Sequence, residues 1–204
     1  RKSWTNAIVN NAVNLPATTG FTNNTALFNS VANTTTETDT GVSVTVFAGE
    51  TGTLTAEAFT VGSAANYNAT LTCTGNATAL AGNSLTVSAA DTAIVCTYSN
   101  TRLQSTLRLA KAWGANSIAG NVASIGATTG LTNNTALFTS TASTNTNGAF
   151  VTVFAGETAT LPAETMTTGS LANYTTALAC DNGVTPSGAN GQASNTVTIA
   201  AANA

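Results

Sequence analysis

Apolar and polar residues alternate in many short stretches of the chain, a pattern typical of β-strands. The segments Val42–Ala48, Tyr67–Cys73 and Ala93–Thr101 place most of their apolar side chains on one parity, and residues of one parity line one face of a strand. The apolar pair Leu85 and Val87 predicts a further short strand. No stretch sustains a helical period, so we predict an all-β fold with helix limited to a turn or two.

The segment Cys96–Trp113 is predicted to be the last strand of one module running directly into the first strand of the next. Asn100 shares its parity with Ile94, Cys96 and Tyr98. Lys111 shares its parity with Leu107, Leu109 and Trp113. A polar residue therefore lies on an otherwise apolar face at each side of a module boundary. This placement indicates a surface-exposed, tension-bearing repeat protein rather than an enzyme.

The chain repeats itself with a period of about 110 residues. The recurring stretches are Ala17–Ser30 and Ala127–Ser140, Val44–Leu54 and Val151–Leu161, and Gly62–Cys73 and Gly169–Cys180. A period of this length indicates tandem domains. We predict an Ig-like β-sandwich of about seven strands in residues 1–104 and a second one in residues 105–204.

Composition excludes several classes of function. Charged residues make up 6% of the chain, but the 43% of hydrophobic residues and a net charge of −3 allow a packed core. Five basic residues do not supply the phosphate contacts of a nucleic-acid-binding protein. No apolar run approaches the roughly 20 residues of a membrane helix, so no membrane insertion is expected.

The chemistry of ordinary enzyme sites is also missing from the sequence. The chain has no histidine and eight scattered acidic residues, so neither a nucleophile–base pair nor a calcium site is expected. We therefore expect no enzyme activity, no cofactor and no metal.

The three cysteines leave two interpretations open. Cys73 and Cys96 lie on apolar parities of neighbouring predicted strands, where they form either free core thiols or a disulfide. The threonine-rich repeat favours the disulfide, which would stabilise the module by about 3 kcal/mol. Cys180 is the counterpart of Cys73, and its partner is expected beyond the end of the chain.

Three short motifs resemble those of prealbumin-like, Cna B-type domains, which build the stalks of bacterial pili and adhesins. They are a lysine on an apolar first strand (LRLAKAW), a glutamate in a middle segment (TLTAEAF and TLPAETM) and a last strand ending in Asn-Thr (CTYSNT). The whole chain is similar to the tandem repeats of large secreted surface proteins of Gram-negative bacteria. In Cna B-type domains an isopeptide bond joins the lysine to the asparagine, and the acid catalyses its formation.

The resemblance implies specific residues for this bond. The first module would use Lys2, Glu57 and Asn100, and the second would use Lys111 and Glu164 with an asparagine beyond the end of the chain. A buried lysine keeps a neutral, nucleophilic amine, and a buried carboxylic acid can deliver a proton as ammonia leaves. The alternative interpretation has the lysines extending to solvent at the sheet margin and the glutamates in exposed turns.

These observations predict a structural repeat of an extracellular fibre, filament or adhesin stalk at the bacterial cell surface. Its expected partners are neighbouring copies of the repeat, arranged head to tail. The alternative is a surface-binding module that uses a neutral Thr/Asn-rich face to contact glycans or ice. Aligning the copies also predicts that the second sandwich lacks its closing strand and that the first lacks a counterpart of Ser105–Leu109. Open edges of this kind favour strand addition.

Overall fold

The computed structural model describes residues 1–181 and 183–203, and these are folded almost entirely as short strands and turns. The predicted all-β fold is confirmed. Helical residues in the described part of the chain are limited to three single 3-10 turns (Ala64–Asn66, Leu171–Asn173 and Ala201–Asn203). The chain divides into two compact units, Arg1–Arg102 and Leu103–Ala204, called unit 1 and unit 2 below.

Unit 1 contains nine short strands. They are β1 (Lys2–Thr5), β2 (Ala12–Leu15), β3 (Phe28–Val31), β4 (Glu37–Asp39), β5 (Thr51–Thr53), β6 (Ala58–Val61), β7 (Tyr67–Thr74), β8 (Ser84–Thr86) and β9 (Val95–Arg102). They form one four-stranded sheet in the order β4-β1-β9-β7 and two smaller sheets, β3-β2-β6 and β5-β8. The pair β1–β9 is parallel, whereas the other strand pairs of the unit are antiparallel. Parallel pairing places the first and the last strand of the unit side by side.

Unit 2 has nine strands in its described residues. They are β10 (Gln104–Leu107), β11 (Ala110–Lys111), β12 (Val122–Ile125), β13 (Phe138–Thr141), β14 (Thr146–Asn147), β15 (Val151–Phe154), β16 (Thr158–Leu161), β17 (Thr165–Thr168) and β18 (Asn195–Thr198). The sheets are β13-β12-β17, β10-β15, β11-β14 and β16-β18. The sequence predicted about seven strands per module, and the larger number reflects very short strands such as β4 and β14 that show no clear alternation.

Three of the predicted strands of unit 1 are present. The alternating segment Tyr67–Cys73 forms β7, Ala93–Thr101 corresponds to β9, and Leu85 lies in β8. The prediction for Val42–Ala48 is wrong, because residues 42–48 are not in a strand. A segment with alternating apolar and polar side chains forms a β-strand only when a neighbouring strand pairs with its backbone N–H and C=O groups.

Unit 2 shows which neighbour is missing in unit 1. The equivalent segment forms β15 and pairs with β10, the strand that opens unit 2. Phe154 on β15 is 8% exposed, whereas its counterpart Phe47 is 53% exposed. In unit 1 no described strand occupies the position of β10, and this leaves an apolar groove of about 430 Å³ lined by Val44, Val46 and other apolar side chains.

On the side that holds the tryptophan, unit 1 is the better covered of the two units. The core of unit 1 is built around Trp4, whose indole is fully buried and donates a hydrogen bond to Oγ of Ser30 at 2.8 Å. Its counterpart Trp113 makes the same bond to Ser140 but is only partly buried. Strand β9 covers this side of unit 1, and unit 2 has no strand in that position among its described residues. The predicted open side of the second sandwich is therefore present.

Candidate functional site

The parallel pairing of β1 with β9 brings the candidate lysine and asparagine of unit 1 onto one buried face. Strand β1 alternates inward Lys2 and Trp4 with the more exposed Ser3 and Thr5. Its register aligns Lys2 with Tyr98 and Trp4 with Asn100. Because side chains alternate along each strand, Lys2 and Asn100 point to the same side of the sheet, displaced by two residues along it.

Lys2 is sealed from solvent, with an exposed fraction of 0%. Its Nζ atom lies 2.7 Å from Oε2 of Glu57, the residue that directly precedes β6, and 4.5 Å from the centre of the Trp4 ring. Burial lowers the pKa of Lys2 below its usual value, and the neighbouring carboxylate opposes this shift only in part. The alternative in which this lysine extends to solvent is therefore wrong for unit 1.

Asn100 is also fully buried. Neither its carboxamide oxygen nor its carboxamide nitrogen has a hydrogen-bond partner among the described residues, and the same holds for Nζ of Lys2 and both carboxylate oxygens of Glu57. The Lys2–Glu57 contact is an ion pair by distance but does not have the directions of a hydrogen bond. Leaving a buried amide unsatisfied costs about 1–3 kcal/mol, so native structures rarely do it without a chemical reason.

Tyr98 completes this cluster, although no role was predicted for it from the sequence. Its hydroxyl donates a hydrogen bond to the carbonyl oxygen of Thr55 at 2.8 Å. Burial, with a smaller contribution from the Glu57 carboxylate, raises the pKa of Tyr98 to about 12. Tyr98 shares the parity of Asn100 on β9, and this shared parity was the signal that could have identified it.

Unit 2 repeats the lysine and the acid of the site. Nζ of Lys111 lies 2.9 Å and 3.0 Å from the two carboxylate oxygens of Glu164, and 4.6 Å from the centre of the Trp113 ring. Here the lysine does donate a hydrogen bond to the acid, and its side chain is 15% exposed. Lys111 and Glu164 therefore meet as the sequence predicts, but without a strand that carries an asparagine over them.

The cysteines of unit 1 form the predicted disulfide. Cys73 on β7 lies directly opposite Cys96 on β9, and the two are bonded. A disulfide is consistent with a protein that resides outside the cytoplasm. Cys180 is a free, partly buried thiol, and burial raises its pKa above the usual value. Its partner, predicted beyond residue 204, lies outside the described residues.

The repeated pair Glu50 and Glu157 has a structural role that was not predicted from the sequence. Glu50 follows the turn at Gly49 as expected, but its carboxylate accepts hydrogen bonds from the backbone N–H groups of Thr22 and Phe47. Glu157 makes the equivalent contacts to Thr132 and Phe154. A hydrogen bond from the Thr22 side chain, together with the backbone bonds from Phe47 and Thr22, lowers the pKa of Glu50. These bonds tie the Thr-Asn-Asn-Thr loop to the following turn.

The described residues hold neither a cluster of metal ligands nor a long apolar helix. No group of three or more histidine, cysteine, aspartate or glutamate residues there has the arrangement of a metal site. No helix in that part of the chain is long and apolar enough to cross a membrane. Comparison with protein-family models, with curated proteins and with solved structures finds no match to the chain.

Proposed function

We propose that the chain is a structural segment of an extracellular fibre, filament or adhesin stalk at a bacterial surface, built from covalently crosslinked β-sandwich modules. The observation that carries this proposal is that Lys2 on the first strand and Asn100 on the last strand of unit 1 are fully buried, with the Glu57 carboxylate 2.7 Å from the lysine. A metabolic or binding role gives no reason to bury an amine beside an unsatisfied carboxamide. An intramolecular crosslink gives one.

The chemistry is an amide exchange that needs no outside reagent. With its pKa lowered by burial, Lys2 supplies a neutral amine whose Nζ attacks Cγ of Asn100. Glu57 takes a proton from the attacking nitrogen and passes it to the departing carboxamide nitrogen. A new Nζ–Cγ bond forms, the Cγ–Nδ2 bond breaks, and one ammonia leaves.

The position of this bond fits a load-bearing role. It would join β1, which starts two residues into unit 1, to β9, which ends at the last residue of that unit. A pulling force that enters at one end of the unit would then leave at the other through covalent bonds alone. The disulfide between β7 and β9 secures the neighbouring strand of the same sheet.

Head-to-tail neighbours are the partners that this proposal implies. The groove beside residues 42–48 of unit 1 corresponds to the position of β10 in unit 2. The uncovered side of unit 2 corresponds to the position of β9 in unit 1. The segment Val95–Leu107 supplies both strands at the junction of the two units. Further copies of such a segment would supply them at each end of the pair.

Intact mass spectrometry of the purified, reduced chain tests the crosslink. We expect a mass below that of the sequence by one ammonia, and a digest in which the peptides containing Lys2 and Asn100 stay joined. Lys2→Met or Asn100→Ala is expected to restore the full mass.

Lys111→Met is the matched control, because it removes the equivalent lysine from the unit that lacks an opposing asparagine. This variant is expected to keep the loss of one ammonia. A wild-type chain with the full mass of its sequence, after prolonged incubation, would contradict the proposal.

The alternative function, binding to glycans or ice through a neutral face, has one supporting feature. Asn68, Thr70 and Thr72 form an exposed row of outward side chains on β7. They lie opposite Thr101, Ser99 and Thr97 on β9. Replacing Thr70 and Thr72 by lysine would abolish such binding in an ice-recrystallisation or glycan-array assay. The crosslink proposal expects neither substitution to change the mass loss.

A further inference from the structure

Unit 2 has an incomplete binding site for a β-strand. Its residues Tyr174–Cys180 are the counterpart of β7 but form no strand, and β11 is paired only with β14 in the part of the chain that the structure describes. In unit 1 the equivalent elements, β7 and β1, lie on either side of β9. The side of unit 2 formed by β11 and residues 174–180 is called the acceptor site below.

The acceptor site leaves side chains uncovered that β9 buries in unit 1. Trp4 and Tyr67 are buried in unit 1, whereas Trp113 and Tyr174 are only partly buried. The ring pair itself is already in place, since the centroids are 5.7 Å apart in unit 1 and 5.6 Å apart in unit 2. The ring pair is therefore preorganised, and a strand that docks there gains apolar burial. Residues 174–180 would exchange their present contacts with residues 189–192, such as the 2.7 Å bond from the Leu178 N–H to the Ala189 carbonyl, for bonds to the docked strand.

Two chemical groups in the site specify the sequence of the missing strand. In unit 1, β9 aligns Cys96 with Cys73 and Asn100 with Trp4. The equivalent positions of unit 2 hold the free thiol Cys180 and the aromatic ring Trp113, which lies beneath the Lys111–Glu164 pair. A strand that satisfies both needs a cysteine and, four residues later, an asparagine.

We propose that unit 2 binds an extended segment with this Cys-x-x-x-Asn pattern, from a further copy of the repeat, and holds it by a disulfide to Cys180. The segment runs parallel to β11 and antiparallel to residues 174–180, as β9 does in unit 1. The strand β9 of a second chain is not the occupant, because its own disulfide to Cys73 holds it in unit 1. The inference rests on the proposed function only for the later attack of Lys111 on the asparagine.

The covalent steps balance as follows. The two thiols lose two hydrogens, which a small-molecule disulfide such as oxidised glutathione takes up as it is reduced to two thiols. Lys111 then forms an Nζ–Cγ bond to the asparagine of the strand, and that carboxamide loses one ammonia.

The test uses the full chain and a synthetic peptide with the sequence of residues 94–102, mixed in a buffer of reduced and oxidised glutathione. The matched control peptide has its cysteine and asparagine exchanged, so that its composition is unchanged. We expect the disulfide-linked adduct to exceed that of the control peptide by about tenfold or more, equivalent to about 1.4 kcal/mol. Hydrogen exchange within residues 174–180 is expected to slow only with the first peptide, and Cys180→Ser is expected to abolish the adduct.

The outcomes separate this inference from the proposed function. Equal adduct with both peptides, without protection of residues 174–180, overturns strand binding and leaves the Lys2–Asn100 crosslink to its own mass measurement. A protected, disulfide-linked adduct that loses no ammonia supports strand binding and contradicts the crosslinking chemistry at Lys111. A disulfide-linked dimer of the chain alone would join two Cys180 residues, the free thiols of the described residues. If that dimer protects residues 174–180 as well as the first peptide does, a second chain is the occupant and the inference is overturned.

Discussion

The state of the buried lysine matters for the stability of unit 1. As separate groups, Lys2 is held by an ion pair with Glu57, whereas the Asn100 carboxamide has no hydrogen-bond partner among the described residues. Burying such groups costs free energy. Conversion to an amide removes the titrating amine and leaves one N–H donor and one carbonyl acceptor. The Glu57 carboxyl group would remain close to that N–H, since its Oε2 atom lies 2.7 Å from Nζ. The proposed crosslink would therefore remove an electrostatic penalty and add a covalent constraint.

A second residue-scale difference between the units concerns packing. Gly52 on β5 lies beneath the Phe21 ring, and a Cβ atom at this glycine would overlap ring atoms of Phe21. Unit 2 has Ala159 at the equivalent position, fully buried, and Leu131 in place of the phenylalanine. The same space is thus filled by a glycine and a phenylalanine in unit 1 and by an alanine and a leucine in unit 2.

Gly52→Ala is expected to destabilise unit 1 by about 1–3 kcal/mol through overpacking. Adding Phe21→Leu, which reproduces the pair found in unit 2, is expected to recover most of that loss. Chemical denaturation of the single and double variants measures the coupling. Strictly additive effects would show that the ring contact is not the cause.

At the scale of elements, the sequence was informative wherever an alternating segment has its partner strand within the same unit. The strands β7 and β9 followed from parity, and the disulfide between them followed from the apolar parity of both cysteines together with the threonine-rich repeat. The same reasoning failed for Val42–Ala48, whose alternation is as regular. The pairing of a strand depends on a neighbour that may be distant in sequence, and local periodicity carries no information about it.

The candidate site, too, was predicted where the signal is local and missed where it depends on strand pairing. Lys2, Glu57 and Asn100 were identified through the resemblance of their motifs to those of Cna B-type domains. The register that aligns Trp4 with Asn100, and the inclusion of Tyr98, depend on the parallel pairing of β1 with β9. No local signal specifies that pairing.

Amide hydrogen exchange tests the open groove of unit 1 at this scale. Residues 44–46 are expected to exchange rapidly, whereas their counterparts in β15 are expected to be protected by their bonds to β10. A peptide with the sequence of residues 103–109 is expected to slow exchange in 44–46 by filling the groove. Equal protection of the two segments in the chain alone would contradict the open groove.

At the scale of the whole molecule, each unit is complete where the other is open. Unit 1 has the strand that covers the tryptophan side and lacks the one beside residues 42–48, whereas the described residues of unit 2 include the second of these strands but not the first. The chain's own segment from β9 through β10 supplies both kinds of strand in direct succession. This complementarity supports a head-to-tail series of repeats in which each junction completes two sandwiches.

A crosslink in each module would change how such a series bears load. A bond that closes a loop of about 100 residues contributes about 4.7 kcal/mol in the chain-entropy model. Its mechanical effect is larger, because strands held by covalent bonds cannot separate at any force that unfolds an ordinary domain. The central claim is therefore mechanical as well as chemical.

Single-molecule force spectroscopy tests that claim most directly, with the chain held between two well-characterised marker domains. We expect unit 1 to release no measurable length in the wild type, because Lys2 and Asn100 are joined. In Lys2→Met, unit 1 is expected to unfold and release several tens of residues at roughly 3.4 Å each. Lys111→Met, the matched control, is expected to behave as the wild type. Unfolding of unit 1 in the wild type, with the same length as in Lys2→Met, would contradict the account.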